Sequence, residues 1–324
     1  ELSITLDPEE DVLWIPPGTT ALTQLNPGDA DVAFEQEDIL PSIGFRLTPI
    51  EEIAFRGTYA ETVARQTFRE LTPIQQQEFL GGDVFIGNPN LDMSSVDNYD
   101  LRLDYTPYEG GIASVSYFHK DVEDPIEFVQ KVSDFVYTTP VNYPEGTIEG
   151  WEFEVRQKMG QFFEVLEGLA LGANATLIDS EVKIPESEQA LLEQPNIQAP
   201  RETRDMLNAP EHLYNIYMNY KMGKIGLDKT ELSVFYTVKG DTLVAGAGVS
   251  SNKFVPDIYE TEHGTLNASL TQGFGEAVKL KLSAKNILNP KVESVYRSEF
   301  IDGDVPKTSY RKGVEFSIGL SASF

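Results

Sequence analysis

The chain of 324 residues contains no cysteine, three histidines, and 25 Lys and Arg against 52 Asp and Glu, which leaves a net charge of -27. Without cysteine there are no disulfides and no thiolate metal sites, and the redox compartment stays open. Scarce basic residues exclude nucleic acid as a partner, because such partners need a basic face. His119, His212 and His263 have no neighbours at ligand spacing, so no metal centre is expected. No apolar run reaches the roughly eighteen residues of a membrane-spanning helix; the nearest, Gly168 to Leu177, is interrupted. Catalytic motifs are missing too. Neither a Gly-x-Ser-x-Gly elbow nor a zincin helix occurs, Asp302-Gly303-Asp304 lacks calcium-loop spacing, and Gly246-Ala247-Gly248-Val249 lacks the third glycine of a dinucleotide loop. No enzymatic activity and no cofactor are therefore expected. The chain opens on Glu1-Leu2-Ser3-Ile4 without an initiating Met or signal-peptide core and reads as a mature chain or a cut fragment.

What the sequence does have is period-two alternation. From Tyr310 to Phe324, the residues Tyr310, Val314, Phe316, Ile318, Leu320, Ala322 and Phe324 share one side, and mostly small or polar residues share the other. This predicts one strand, and an apolar face over about nine to eleven tilted residues is what a membrane-spanning strand needs. A mean hydropathy of -0.27 is compatible with such a wall, since polar lumen residues mask the apolar ones.

Alternating segments recur upstream as hairpins. The turn Gly273 to Glu276 joins strands carrying Leu266 to Leu270 and Val278 to Ala284, and Met222 to Gly226 joins His212 to Tyr220 with Thr230 to Tyr236. Trp151 to Gln157 pairs with Leu169 to Leu177, Pro107 to Gly111 joins Tyr99 to Tyr105 with Ala113 to Tyr117, and a turn at Thr48-Pro49 joins Ile43 to Leu47 with Ile53 to Tyr59. Between hairpins lie six long segments, about 7–38, 62–93, 124–144, 183–206, 239–256 and 288–308, rich in Pro, Asn and Asp and expected to be loops. They alternate with the tight turns, so all long loops fall on one rim, as in outer-membrane barrels. Tyr105, Tyr108, Trp151, Tyr220, Tyr236 and Tyr310 fall near expected strand ends, where interfacial aromatics sit. The fold class is all-β, an antiparallel transmembrane barrel wall of about eleven strands with a stub at Leu2 to Leu6.

An ordered series of motifs then carries a family resemblance. Ala60 to Leu71, then Gly87-Asn88-Pro89-Asn90-Leu91, then Asp97-Asn98-Tyr99-Asp100-Leu101 resemble the C-terminal barrel half of TonB-dependent receptors. Phe118 to Ile126 and Ala284 to Pro290, including Asn286, are similar to that family's strand-to-loop exits. The end of the chain, with Ser317, Gly319, Ala322 and Phe324, resembles the signal by which the barrel assembly machinery recognises outer-membrane barrels.

The resemblance implies a twenty-two-stranded barrel in the bacterial outer membrane with an N-terminal plug, driven through the TonB complex and importing a siderophore, cobalamin, a carbohydrate or a metal complex. Residues 1–324 would be about half of that barrel, without the plug. Its partners would then be outer-membrane lipid, the remainder of the receptor, the TonB complex and a small-molecule ligand. Arg65, Phe68 and Arg69, in the first long loop after a strand, are the expected ligand contacts. The residues alone leave other readings open: a complete ten- or twelve-stranded barrel acting as a porin or surface hydrolase, or a soluble acidic β-sandwich. The acidic run between Asp7 and Asp38, free of Lys and Arg, suggests loops that gather cations and disfavour highly anionic chelates.

Overall fold

A computed structural model describes residues 37–77, 82–133, 135–250 and 253–322, together with the short stretches 2–4, 13–14, 23–24, 26–28 and 32–34. Eleven strands pair in sequence order as one antiparallel meander: β1 (Ser42–Ile50), β2 (Ile53–Ala64), β3 (Ser94–Tyr105), β4 (Ile112–Glu123), β5 (Glu145–Lys158), β6 (Leu169–Lys183), β7 (His212–Lys221), β8 (Thr230–Lys239), β9 (His263–Phe274), β10 (Val278–Lys285) and β11 (Glu315–Ala322). All five expected hairpins form, and their short turns alternate strictly with the long connections. Chemistry at the turns explains their tightness. Gly168, for example, holds φ +87, and a Cβ there would collide with the Lys221 carbonyl of the next hairpin.

The register sorts the two faces. Leu47, Phe55, Leu103, Val115, Phe153, Ala175, Tyr214 and Val238 lie opposite one another across β1 to β8, forming a continuous apolar row. One residue along, the other face carries Asp104, Ser114, Glu154, Asn174, Asn215 and Thr237 in register. Hydrogen bonds join this polar row: Asn215 Nδ2 donates to Asn174 Oδ1 at 2.7 Å, and Thr237 Oγ1 donates to Asn215 Oδ1 at 2.7 Å. Beside it, Arg46, Arg56 and Arg102 lie directly opposite one another, a repulsive arrangement that carboxylates offset. Asp104 sits 3.1 Å from Arg56 and 2.7 Å from Arg102, while Glu154 sits 2.9 Å from Arg102. The apolar face is the lipid face, and the polar face lines the lumen.

Four parts of the sequence reading change. The β1–β2 turn is Glu51-Glu52; Thr48-Pro49 instead lies where the register shifts between Leu47 and Ile50, a bulge in an edge strand that tolerates a residue with no N–H to donate. Trp151 is interior to β5, because β5 and β6 run past the apolar band into the rim. There the tilted rings of Tyr59 and Tyr99 have centroids 5.2 Å apart and those of Tyr117 and Trp151 5.1 Å apart, within the strands, whereas Tyr105 and Tyr220 do fall at strand ends. Tyr310 to Phe324 is not one strand. Tyr310 ends a separate strand, Val305–Tyr310, and Gly313 at φ +83 breaks the chain before β11 begins. The stub Leu2–Ile4 pairs with Val32–Phe34 and not with the wall.

The long segments also hold more structure than loops. Within 124–144, Ile126–Val132 and Val136–Asn142 form a hairpin that joins Val84–Ile86 and Gln75–Gln77 in a four-stranded sheet. Thr242–Ala245, Asp257–Glu260, Val292–Arg297 and Val305–Tyr310 make a second one. Segments without clean alternation, such as Ile126 to Val132 with Ile126, Phe128 and Gln130 on one side and Glu127 and Val129 on the other, still form strands once they can pair and be buried. Most of the buried apolar side chains are here: Val122, Val129, Tyr143, Val182, Ile184, Leu192, Ala199 and Met206 form one cluster above the wall. The acidic run from Asp7 to Asp38 falls largely outside the described residues, as does Phe324.

Both ends of the meander are open: among the described residues β1 and β11 each pair on one side only, and their apolar side chains, such as Ile43 and Phe316, are exposed. The lipid-face assignment gives a direct test in the protein refolded into vesicles. Phe153→Arg should cost about 2–4 kcal/mol in denaturant unfolding, whereas Thr176→Lys, on the lumen face opposite Glu152, should be nearly neutral. Equal losses for the two would reverse the assignment.

Candidate ligand cleft at the loop rim

The two rim sheets meet through their backbones. The Gln130 N–H donates to the Gly246 carbonyl at 3.0 Å, the Gly246 N–H donates to the Phe128 carbonyl at 2.7 Å, and Gln130 Nε2 donates to the carbonyls of Gly246 and Pro256. Gly246 allows this seam because a Cβ there would strike the Arg204 guanidinium. The Gly246–Val249 stretch therefore serves as a joint between loops. Between the sheets lies a cleft of about 890 Å3, lined by Arg69, Phe85, Phe128, Thr138, Ile258, Ser294, Thr308 and Tyr310 among others. This is within the range of small-molecule sites. Asp83 and Lys307 form an ion pair that ties one sheet to the other. A second hollow, edged by Leu103, Val115, Phe153 and Ile216, lies on the lipid face, where acyl chains would fill it.

A buried ionic core holds the rim in place. Glu127 and Arg204 are 2.8 Å apart with side chains 1% and 2% exposed, and the Leu207 N–H also donates to Glu127 at 3.1 Å. Arg204 lies over the Tyr143 ring at 4.9 Å, and Tyr143 donates its hydroxyl to Glu188 at 2.9 Å. Arg201 grips Asp257 through both nitrogens at 2.5 and 2.9 Å; Asp257 in turn accepts from the Ala247 N–H at 2.7 Å. The connections after β4, β6 and β8 are thereby fastened to one another. Burial pushes the Glu127 carboxyl upward, with the Arg204 charge and the Leu207 N–H opposing it. Burial and the bond to Asp205 together push the Tyr259 hydroxyl far above its ordinary value.

The first long connection carries the expected contact residues on a short helix, Phe68–Leu71. Its start is set by a capping box: the Thr67 N–H donates to Glu70 Oε2 at 2.6 Å and the Glu70 N–H donates to Thr67 Oγ1 at 3.3 Å. Leu71 is fully buried and anchors the helix, while Gln66 Nε2 donates to the Leu91 carbonyl at 2.6 Å. Arg69 then lies over the Phe85 ring at 4.4 Å on the wall of the cleft. Phe68 and Arg65 are exposed on the same connection but do not line it. Of the three expected residues, the structure brings Arg69 alone into this cleft.

The family-motif residues are seen holding the chain in shape. Asn88 accepts from the Asn90 N–H at 3.0 Å and donates to the Pro140 carbonyl at 3.2 Å; Leu91, beyond Pro89, is buried. Asn286, at φ +56, donates to the Gly313 carbonyl at 2.7 Å, and Asn289 accepts from the Gly313 N–H at 3.0 Å, so the last long connection is pinched shut at its base. Ser317, Gly319 and Ala322 lie in β11. The histidines each meet carboxylates or carbonyls one at a time: His119 meets Asp121 at 3.1 Å and Glu149 at 3.4 Å, His212 meets Glu262 at 2.8 Å, and His263 meets the Thr261 carbonyl at 3.2 Å. Among the described residues no group of three His, Asp or Glu side chains could hold a metal ion.

Sequence reasoning missed Phe85, Phe128, Lys307 and the Glu127–Arg204 pair. The one available hint was Glu127, a lone carboxylate in the apolar hairpin strand Ile126–Val132.

A sequential antiparallel wall with an apolar outer face, a polar lumen face and every long connection on one rim defines an outer-membrane β-barrel. The chain belongs to the TonB dependent receptor-like β-barrel family, whose model matches residues 18–287. An iron-regulated outer membrane virulence protein of Vibrio cholerae is 23% identical over 234 residues, covering 69% of this chain and 31% of the relative. The chain thus spans less than a third of that relative's length. Among solved structures, a ferric enterobactin receptor of Pseudomonas aeruginosa in complex with enterobactin matches with a TM-score of 0.56 at 14% identity, over 88% of this chain and 40% of that one. The FrpB iron transporter from Neisseria meningitidis matches with a TM-score of 0.53 at 13% identity, over 89% and 38%. These structures share the fold, and the proteins in this group are receptors and transporters.

The ionic core makes a prediction. Glu127→Ala leaves Arg204 buried without its partner and should destabilise the rim by about 3–5 kcal/mol, while the double variant Glu127→Leu with Arg204→Met should recover most of that loss. Thermal unfolding of the intact receptor, with loop proteolysis as a local probe, measures both. A double variant as unstable as the single one would show that the pair's charges are not what matters.

Proposed function

We propose that residues 1–324 are the C-terminal portion of the barrel of a TonB-dependent receptor that takes up an iron chelate across the outer membrane. The observation that carries this reading is the cleft between the two rim sheets, lined by Arg69 from the first long connection, in a chain whose family membership is shown. Iron is favoured over cobalamin or carbohydrate because the Vibrio relative is iron-regulated and the solved neighbours include a ferric enterobactin receptor and an iron transporter. In this reading the remainder of the receptor supplies a plug and the strands that cover the open edges of β1 and β11. The TonB complex supplies energy, and the barrel assembly machinery recognises the end carrying Ser317, Gly319, Ala322 and Phe324.

The ligand is gripped by rim and lumen side chains, with no bond made or broken. Arg69 lies over the Phe85 ring, and Thr138, Ser294 and Thr308 line the same cleft. A complete small porin or surface hydrolase is disfavoured by the two unpaired edges, whose backbone groups would each cost several kcal/mol in lipid.

Growth on iron chelates tests this. Cells whose iron supply depends on the intact receptor should grow under iron limitation, stop when TonB is deleted, and bind the chelate about tenfold more weakly with Arg69→Ala, in line with one lost charge-assisted contact. Growth that persists without TonB would defeat the proposal. So would a coding sequence with no plug upstream of this chain.

A further inference from the structure

We infer that the rim cleft selects a ligand of low net charge with a flat apolar or aromatic face, a neutral or monoanionic ferric chelate in preference to a trianionic one. The inference rests on the uptake reading above and concerns which chelate is taken.

The cations around the cleft are already engaged. Lys307 is held by Asp83 with its side chain 9% exposed, Arg297 by Asp241 and Asp304, Arg201 by Asp257, and Arg204 by Glu127. Of these, none can swing to an anionic ligand without abandoning a carboxylate, and that carboxylate would then face the ligand. Among the described residues the lining carries Arg69 and Asp83, whose charges offset, and Lys307, paired with Asp83, adds one positive charge beside them. A trianion would therefore bring an excess of negative charge into a chain that already carries -27. Asp83, 66% exposed, is the carboxylate it would meet.

What remains of the lining suits a different ligand. Phe85 and Phe128 pack edge to face with centroids 5.3 Å apart, and Ile258 and Tyr310 extend the apolar surface from the opposite sheet. Thr138, Ser294 and Thr308 supply hydroxyls, which can donate to carbonyl or hydroxamate oxygens as readily as they accept from a ligand N–H. Apolar walls with a few hydroxyls and little surplus charge recognise shape and neutral polar groups.

Calorimetric titration of the intact receptor with a neutral ferric tris-hydroxamate and a trianionic ferric tris-catecholate, each at low and physiological ionic strength, tests the inference. The neutral chelate should bind at least tenfold more tightly, with an affinity nearly independent of salt. Asp83→Asn removes the ion pair while the Gly246 seam still joins the sheets, frees the Lys307 charge and should move the preference toward the trianion by about tenfold, with thermal unfolding of the variant checking that the rim is kept. Tighter binding of the trianion to the unaltered receptor overturns the selectivity, as does a preference that Asp83→Asn does not move. If neither chelate binds, the selectivity also falls. In that case, TonB-dependent growth on another iron source would leave the uptake reading standing, and loss of such growth would remove both.

Discussion

Backbone hydrogen bonding in hydrocarbon is the constraint on which the rest of this structure depends. An amide or carbonyl left unpaired in lipid costs several kcal/mol, so a chain that crosses as strands must give every strand a neighbour on both sides. The meander from Ser42 to Ala322 meets that demand for its nine inner strands and, among the described residues, leaves it unmet at β1 and β11. The alternation of the faces follows from the same requirement, because a paired strand can show lipid only every second residue. The charges displaced to the inner face must then be matched there, and Asp104 between Arg56 and Arg102 is the result.

Freed from lipid, the connections above the wall build what the wall cannot, a conventional core. Tyr143, Ile184 and Leu192 are buried there, whereas wall residues of similar size face acyl chains. Inside that core the low dielectric strengthens paired charges and penalises single ones, so Glu127 with Arg204 and Asp257 with Arg201 specify how three connections fit together. The cleft inherits its shape from this fastening. Its walls belong to different sheets, and a seam at Gly246 together with the Asp83–Lys307 pair sets their separation.

The wall was legible in the sequence because its code is local. Val278 to Ala284 alternates within a few residues of its turn, and the order of short and long connections orients every strand. The rim was not, for two reasons. Segments such as 292–297 and 305–310 are short and flanked by Pro, Asn and Asp, so their alternation is hidden by turn composition. Their partners also come from distant connections: nothing near Asp83 announces Lys307. Tyr310 shows the hazard of extending a pattern too far, since its parity matches β11 although Gly313 separates the two. Arg69 could be singled out from its place after β2, but its neighbour Phe85 and the far wall at Ile258 are matters of tertiary pairing.

The neck formed by Asn286, Asn289 and Gly313 joins one side of the rim to the wall differently from the other. At β5 and β6 the strands rise from the membrane into the rim without interruption, so a force applied there is carried down rigid, fully paired backbone. At β10 the strand stops, and two residues with positive φ, Asn286 and Asn289, lie between it and the sheet above, with Gly313 on the return to β11. The sheet carrying Val292–Arg297 therefore meets the wall through a pinched neck and is held from its other side, where Val292–Arg297 pairs with the strand of Asp257, the residue that Arg201 grips.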